Sequence, residues 1–369
     1  MKKVRLSYVR RLILAVLFSF VLFASISSEI GEWYALYLYP SISKIISFAS
    51  SFVVFSVDEW AVLTFVFVLI GYPFYARICR RKRWLHIIGR EVELILWVYV
   101  WFYWGWGMNY YRMSFYQRAG VKPVVYDEAK FDDFLLNFTE SLNRTYQECF
   151  NEDRLQSPDL FLPLREIEKK EFIRDEIKSI YQKVPQAYGL ARPASYQNPK
   201  HSSFNSLYSN VGVLGFMGPF FVESHVNHEL SILEYPFTYA HELSHLLGVS
   251  SEAEANLWAY TVCIESSCPL IRLSGYLGLL SYVRSNAMQL LSPADFENWE
   301  SSLSPDISAA FYRIHAYWAL RYNVTLGEIQ SVMYTFYLKR NRISSGQKNY
   351  AQVIGMLLSL PNYKVNLPE

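Results

Sequence analysis

Cysteine is scarce: there are 4 in 369 residues, and no two form a Cys-x-x-Cys pair. That excludes a thiolate-built structural zinc site and a small disulfide scaffold. Charge is sparse too. Asp, Glu, Lys and Arg make up 18% of the chain against 52% hydrophobic residues, which excludes a disordered or fibrous protein. No glycine-rich phosphate loop is present, no Ser or Cys nucleophile signature stands out, and no repeat or low-complexity tract is visible. Aromatic residues are abundant, at 17%, with 29 Tyr, 25 Phe and 10 Trp. The apolar content is spread unevenly, which argues against a fully soluble protein.

The formal charge of +2 hides an asymmetry. Residues 1–108 hold 12 Lys/Arg and 6 Asp/Glu, whereas residues 109–369 hold 23 and 27. A mildly acidic larger portion argues against a nucleic-acid partner, which needs a basic face to replace counterions.

The first third reads as membrane. Lys2, Lys3, Arg5, Arg10 and Arg11 precede the apolar run Leu12–Ser28. Its length, the absence of a small-x-small site that stands out cleanly and the apolar segments that follow favour a retained helix over a cleaved signal peptide. A second run, Trp60–Ala76, is followed by Arg77, Arg80, Arg81, Lys82 and Arg83. A third, within about residues 90–108, is short and aromatic, and its Trp97, Trp101, Trp104 and Trp106 suit a headgroup belt. Three spans (about 12–28, 60–76 and 90–108) put both basic segments inside and everything after Tyr110 outside. Residues 1–112 then form an anchor in the plasma membrane with a cytoplasmic N-terminus, and 113–369 an extracytoplasmic domain. The stretch Ile45–Val57 is expected at the interface or packed on the bundle, because a fourth span would put the 77–83 cluster outside.

The outer domain is mainly helical by pattern, an α-rich α+β unit with a small sheet. Helices are expected over Asp127–Phe150, Glu166–Tyr188, Gly275–Leu291, Ile307–Tyr322 and Ile329–Lys339, with a turn at Ser344-Ser345-Gly346 and a last helix to about Leu360. Arg192–Tyr208 reads as loop, and Val211–Phe216 and Phe220–His228 as two short strands separated by Gly218-Pro219. Cys263 and Cys268 are either a small disulfide or two buried thiols.

The chemistry sits at 241–256. His241-Glu242-Leu243-Ser244-His245 lies on a helix that starts near Pro236. Histidines four apart share a helix face, where their ring nitrogens can share a Zn²⁺. Glu242, one step round, reaches a water on that ion and acts as its base. Gly248 bends the chain back, so that Glu252 and Glu254 arrive seven and nine residues after His245. The two are about 200° apart on a helix and cannot both face the metal. Glu252 shares a face with the small residues Ala255, Asn256 and Ala259 and is the favoured third ligand; Glu254, on the side of Trp258, is the alternative. Asn256 can hold a histidine or the ligand carboxylate. Against this stands the reading of His241 and His245 as helix histidines bonded to polar neighbours. A third reading keeps the metal without cleavage. His225 and His228 diverge on a strand and read as polar surface, and Glu223 as a surface salt bridge or a cleft residue. His315, Tyr312 and Tyr350 are candidate oxyanion donors.

The chain resembles the bacterial membrane-protein family DUF3810. The resemblance rests on Phe55-Ser56-Val57-Asp58, Trp106-Gly107-Met108-Asn109-Tyr110-Tyr111-Arg112 and Gly215-Phe216-Met217-Gly218-Pro219-Phe220. It continues through Pro236–His245, Glu252-Ala253-Glu254-Ala255-Asn256, Tyr337-Leu338-Lys339 and Asn349-Tyr350. It implies a membrane-anchored, zincin-like peptidase. The Glu-x-x-x-Asn element is similar to that of other membrane gluzincins, in which the first Glu is a ligand, and this implies Glu252. The expected function is therefore zinc-dependent hydrolysis of an envelope polypeptide, with the lipid bilayer as the other partner. The competing class is a metal-binding membrane scaffold or sensor without catalysis.

Overall fold

Long runs of apolar residues with few interior polar groups fold the first third into helices. The computed structural model describes residues 2–124, 127–150, 158–340 and 352–368. Helix α1 (Lys2–Ile26) leads into α2 (Ser28–Trp33), and then α3 (Tyr39–Ser51), α4 (Val57–Ile78) and α5 (Trp84–Gly105) follow. Two stretches, Ser7–Ile26 in α1 and Val57–Ile78 in α4, are long and apolar enough to cross a membrane. Helix α5 is of comparable length at 22 residues and has Arg90, Glu91 and Glu93 near its start. The stretch expected at an interface contributes the end of α3. There Ser43, Ser47 and Ser50 form a buried stripe of small residues, while Ile45 and Phe48 are exposed.

The rest of the chain forms α6 (Phe115–Ala119), α7 (Glu128–Cys149), α8 (Ile167–Lys183), α9 (Asn205–Asn210), α10 (Tyr235–Leu246), α11 (Glu252–Ile264) and α12 (Pro269–Leu290). It ends in α13 (Pro293–Ser302), α14 (Pro305–Ala319), α15 (Val324–Arg340) and α16 (Gln352–Ser359). Helices α10 and α11 are buried on almost every side, and Trp258 stands fully buried in a core shared with α7, α8, α12 and α16. Helix α12 starts six residues before the expected Gly275, because Cys268 and Pro269 supply an N-cap and a first-turn proline. The segment expected as loop contains the start of α9. The expected turn at 344–346 and Tyr350 lie outside the described residues.

One antiparallel hairpin interrupts the helices: β1 (Gly215–Gly218) pairs with β2 (Glu223–Val226), Gly215 opposite Val226 and Gly218 opposite Glu223. The strands are shorter than expected. Val211 caps α9 instead, and Gly212 at φ +74° turns the chain before pairing begins. Side chains alternate across a strand. The Gly215 and Met217 side therefore faces α10, while Glu223 on the other side meets the start of α4, so the hairpin is sandwiched between the two helices.

The first third meets the end of α10 directly. The Trp106 indole N–H donates to the His245 carbonyl (2.9 Å), the Tyr39 hydroxyl to the Leu246 carbonyl (2.7 Å), and Arg112 Nη1 to the Gly248 carbonyl (3.0 Å). Arg112 also pairs with Glu32, and Arg118 with Glu254, all four side chains being buried. Breaking a buried pair leaves an uncompensated charge at a cost of about 3–5 kcal/mol. Arg118→Met is therefore expected to lower the denaturation midpoint of the detergent-solubilised protein sharply, and Arg118→Met with Glu254→Gln to recover most of the loss.

Candidate metal centre

Proline at its start and glycine past its end delimit the helix that carries the motif. Pro236 occupies the first turn of α10. At the other end Gly248 N–H donates to the His245 carbonyl and Val249 N–H to that of Ser244, a reversal that needs the left-handed φ of +97° at Gly248. The Ser251 hydroxyl then accepts from Glu254 N–H and starts α11, which puts Glu252 in its first turn beside the histidines.

Three side-chain atoms converge. His241 Nε2 lies 3.2 Å from His245 Nε2 and 3.1 Å from Glu252 Oε2, and His245 Nε2 lies 3.5 Å from that same oxygen. Each imidazole is fixed through its other nitrogen. His241 Nδ1 donates to Asn256 Oδ1 (2.9 Å), and His245 Nδ1 to the Val249 carbonyl (2.8 Å). With Nδ1 as the donor, both Nε2 lone pairs point into the cluster together with a carboxylate oxygen. A tetrahedral ion with bonds of about 2.0–2.1 Å separates its donors by about 3.3 Å, so this donor set fits Zn²⁺. Among the described residues this is the one group of three or more His, Cys, Asp or Glu side chains close enough to hold an ion.

Electrostatics agree with the geometry. Burial disfavours a charged imidazole at His245, yet the Glu252 and Glu242 carboxylates outweigh it and push its pKa up to about 9. Burial alone would raise Glu252, and the two imidazoles instead hold it well below its ordinary value. Electron-rich atoms this close together demand a cation, and without a metal a proton takes that place. Burial pushes Glu242 up to about 7, against the pull of both histidines. Its Oε2 is buried and has no hydrogen-bond partner among the described residues.

The second candidate acid is directed elsewhere. Glu254 accepts from Arg118 and from the Trp258 indole N–H (3.0 Å), which hold its pKa below the ordinary value despite burial. The expected surface histidine His225 is buried, its ring stacked on Phe216 at 4.2 Å, while His228 meets His201 at 3.0 Å. Glu223 is buried rather than superficial, paired with Lys200. Tyr312 is engaged by Arg284 and Glu300, and His315 by Ser281 and the Phe311 carbonyl. Cys263 is buried in α11, Cys268 half-buried before α12, and both are free thiols.

Three residues at the centre carry no local sequence signal. Trp106 caps the helix of the two histidines from 139 positions away. Tyr282 on α12 reaches Asn256, and burial pushes its pKa up to about 12. Gly215 lies so close to Glu242 that a Cβ there would stand 2.6 Å from Oε1.

Fold and site together define a mainly helical protein in which a short hairpin covers a His-Glu-x-x-His helix, with two stretches long enough to cross a membrane. The chain belongs to the family described as "Protein of unknown function (DUF3810)", whose model matches residues 34–358. No curated protein and no solved structure matches it.

Proposed function

We propose that the protein is a membrane-anchored, zincin-like zinc peptidase with its catalytic domain outside the plasma membrane. The observation that carries this reading is the convergence of His241, His245 and Glu252 beside a buried Glu242 oxygen that lacks a partner among the described residues. His241 Nε2, His245 Nε2 and Glu252 would hold the ion, and Asn256 and the Val249 carbonyl orient the rings. When bound, Zn²⁺ supplies Lewis acidity, which brings a water's pKa toward about 7. Glu242 takes the proton from the attacking water and passes it to the leaving amine, a role matched by a pKa of about 7.

In this reading α1, α4 and α5 are the three spans. The basic start of α1 and the 77–83 loop mark the inside, and the ends at Ile26, Val57 and Gly105 mark the outside. Substrate pairs with the open edge of β1. The Asn227 N–H donates to the Leu214 carbonyl, so by antiparallel alternation the main-chain groups of Gly215 and Met217 face away from β2. Main-chain pairing at a strand edge suits an extended polypeptide.

The test is metal analysis of the detergent-purified full chain, together with proteolysis of a peptide library. One zinc per chain with chelator-sensitive cleavage is expected. Stoichiometric metal without cleavage at any pH favours a scaffold or sensor instead. Gly215→Ala is expected to displace Glu242 and slow cleavage about 10- to 100-fold, because small misplacements of a reacting group are costly, with metal content unchanged.

A further inference from the structure

We propose that the substrate is a polypeptide anchored in the same bilayer and cut within a few residues of the point where it leaves the lipid. The inference rests on the peptidase reading above and names its substrate class.

The argument starts from the turn between the two strands. Asp58, in the first turn of α4, accepts N–H bonds from Phe220 (3.0 Å) and Phe221 (2.9 Å) of that turn. Glu223, on β2, accepts N–H bonds from Val57 (2.9 Å) and Asp58 (3.2 Å) at the start of α4, and Lys200 neutralises it. Helix and hairpin thus grip each other's backbone reciprocally. Gly218 completes the fit, since a Cβ there would stand 2.5 Å from the Asp58 carboxylate. From α5, the Trp101 indole N–H donates to the Phe220 carbonyl (2.8 Å), and a Cβ on Gly105 would stand 3.4 Å from the Pro219 carbonyl. The turn is therefore fastened to the outer ends of two spans. Beside it the apolar side chains of Phe52, Val54, Phe55 and Trp60 are at least half exposed, forming a rim continuous with α4.

Distance follows from strand geometry. Gly218 meets Asp58 and Gly215 meets Glu242, three residue steps apart on β1. At about 3.3 Å per residue, that is about 10 Å. The headgroup layer is itself about 5–8 Å deep on each side of the hydrocarbon. Glu242 accordingly works no farther than about 10 Å from that point, at or below the upper edge of the headgroups, and Trp106, directly after α5, touches the helix of the two histidines at His245. A strand laid along β1 has one end at the lipid surface. A chain emerging from the bilayer presents such a segment without further cost, whereas a folded soluble protein must bring an unfolded segment down to the headgroups.

The experiment uses the full chain, zinc-loaded, in phosphatidylethanolamine/phosphatidylglycerol vesicles. One substrate carries an apolar anchor helix of about 20 residues followed by a linker of about 30 randomised residues; the other is the same linker alone. The anchored form is expected to be cut at least about tenfold faster, with cuts confined to roughly the first ten linker residues. Sharing a bilayer raises the rate at every linker position, so the location of the cuts is the decisive readout. Cuts spread evenly along the linker, or equal rates for both substrates, would overturn the proposal. A readout independent of turnover uses the Glu242→Gln protein and a photoreactive leucine in the linker. Crosslinks to residues 213–218 are expected to be at least about fivefold stronger from the fourth linker position than from the twenty-fifth, as the strand spacing requires; equal yields overturn the inference. Cleavage of neither substrate by the metal-loaded protein overturns the peptidase reading itself, and this inference with it.

Discussion

Glu242→Gln is expected to keep one metal ion per chain and to hydrolyse a peptide library about 10²- to 10⁴-fold more slowly, the range a positioned general base supplies. The amide is nearly isosteric with the carboxylate, and the side chain is not among the converging groups, which come from His241, His245 and Glu252. Fold and metal content should therefore be preserved. What is lost is a group that can take a proton near neutral pH, since burial places the Glu242 pKa at about 7. Parallel measurement of zinc by mass spectrometry and of cleavage rate checks the prediction. Unchanged cleavage would remove Glu242 from the mechanism.

Loss of a ligand should act on the ion instead. His241→Ala, His245→Ala and Glu252→Gln are each expected to weaken zinc binding by more than about 100-fold, beyond the 10- to 100-fold effect of an outer partner, whereas Glu254→Gln should leave it intact. Competition titration with a chromophoric chelator reads this directly. The same titration has a defined pH dependence. In the metal-free protein His245 is protonated up to about pH 9, so the ion must displace that proton. Apparent affinity is expected to fall about tenfold per pH unit below 9 for each proton displaced. Stability of the metal-free protein runs the opposite way. A raised imidazole pKa contributes stability that is complete below the ordinary value near 6.5 and is lost as pH rises through about 9.

Much of this arrangement is legible in the sequence because it is local. The four-residue spacing of His241 and His245 needs only the helical repeat, and the bend at Gly248 needs only a residue tolerant of positive φ. The preference for Glu252 over Glu254 rests on the small residues on one face of α11; the structure places Glu252 beside the two histidines and Glu254 against a buried arginine. What was not legible is long-range. Nothing local in Trp106, Arg118 or Gly215 announces a contact with a helix more than twenty positions away. His225 resembled a surface residue because neighbouring polar groups mask the ring of Phe216 stacked on it. The hairpin edges slipped because β-branched and aromatic residues extend past the paired segment at both ends.

Beside the local backbone bonds that close α10, the carbonyls of His245, Leu246 and Gly248 accept from side chains of the first third of the chain: Trp106, Tyr39 and Arg112. A helix leaves its last carbonyls orphaned unless something caps them, at about 1 kcal/mol for each bond. The ribosome delivers those donors first, within or beside the hydrophobic segments, and the helix that carries His241 and His245 follows. In the order of synthesis, the side chains that fasten the end of α10 to the first third therefore exist before the helix they fasten.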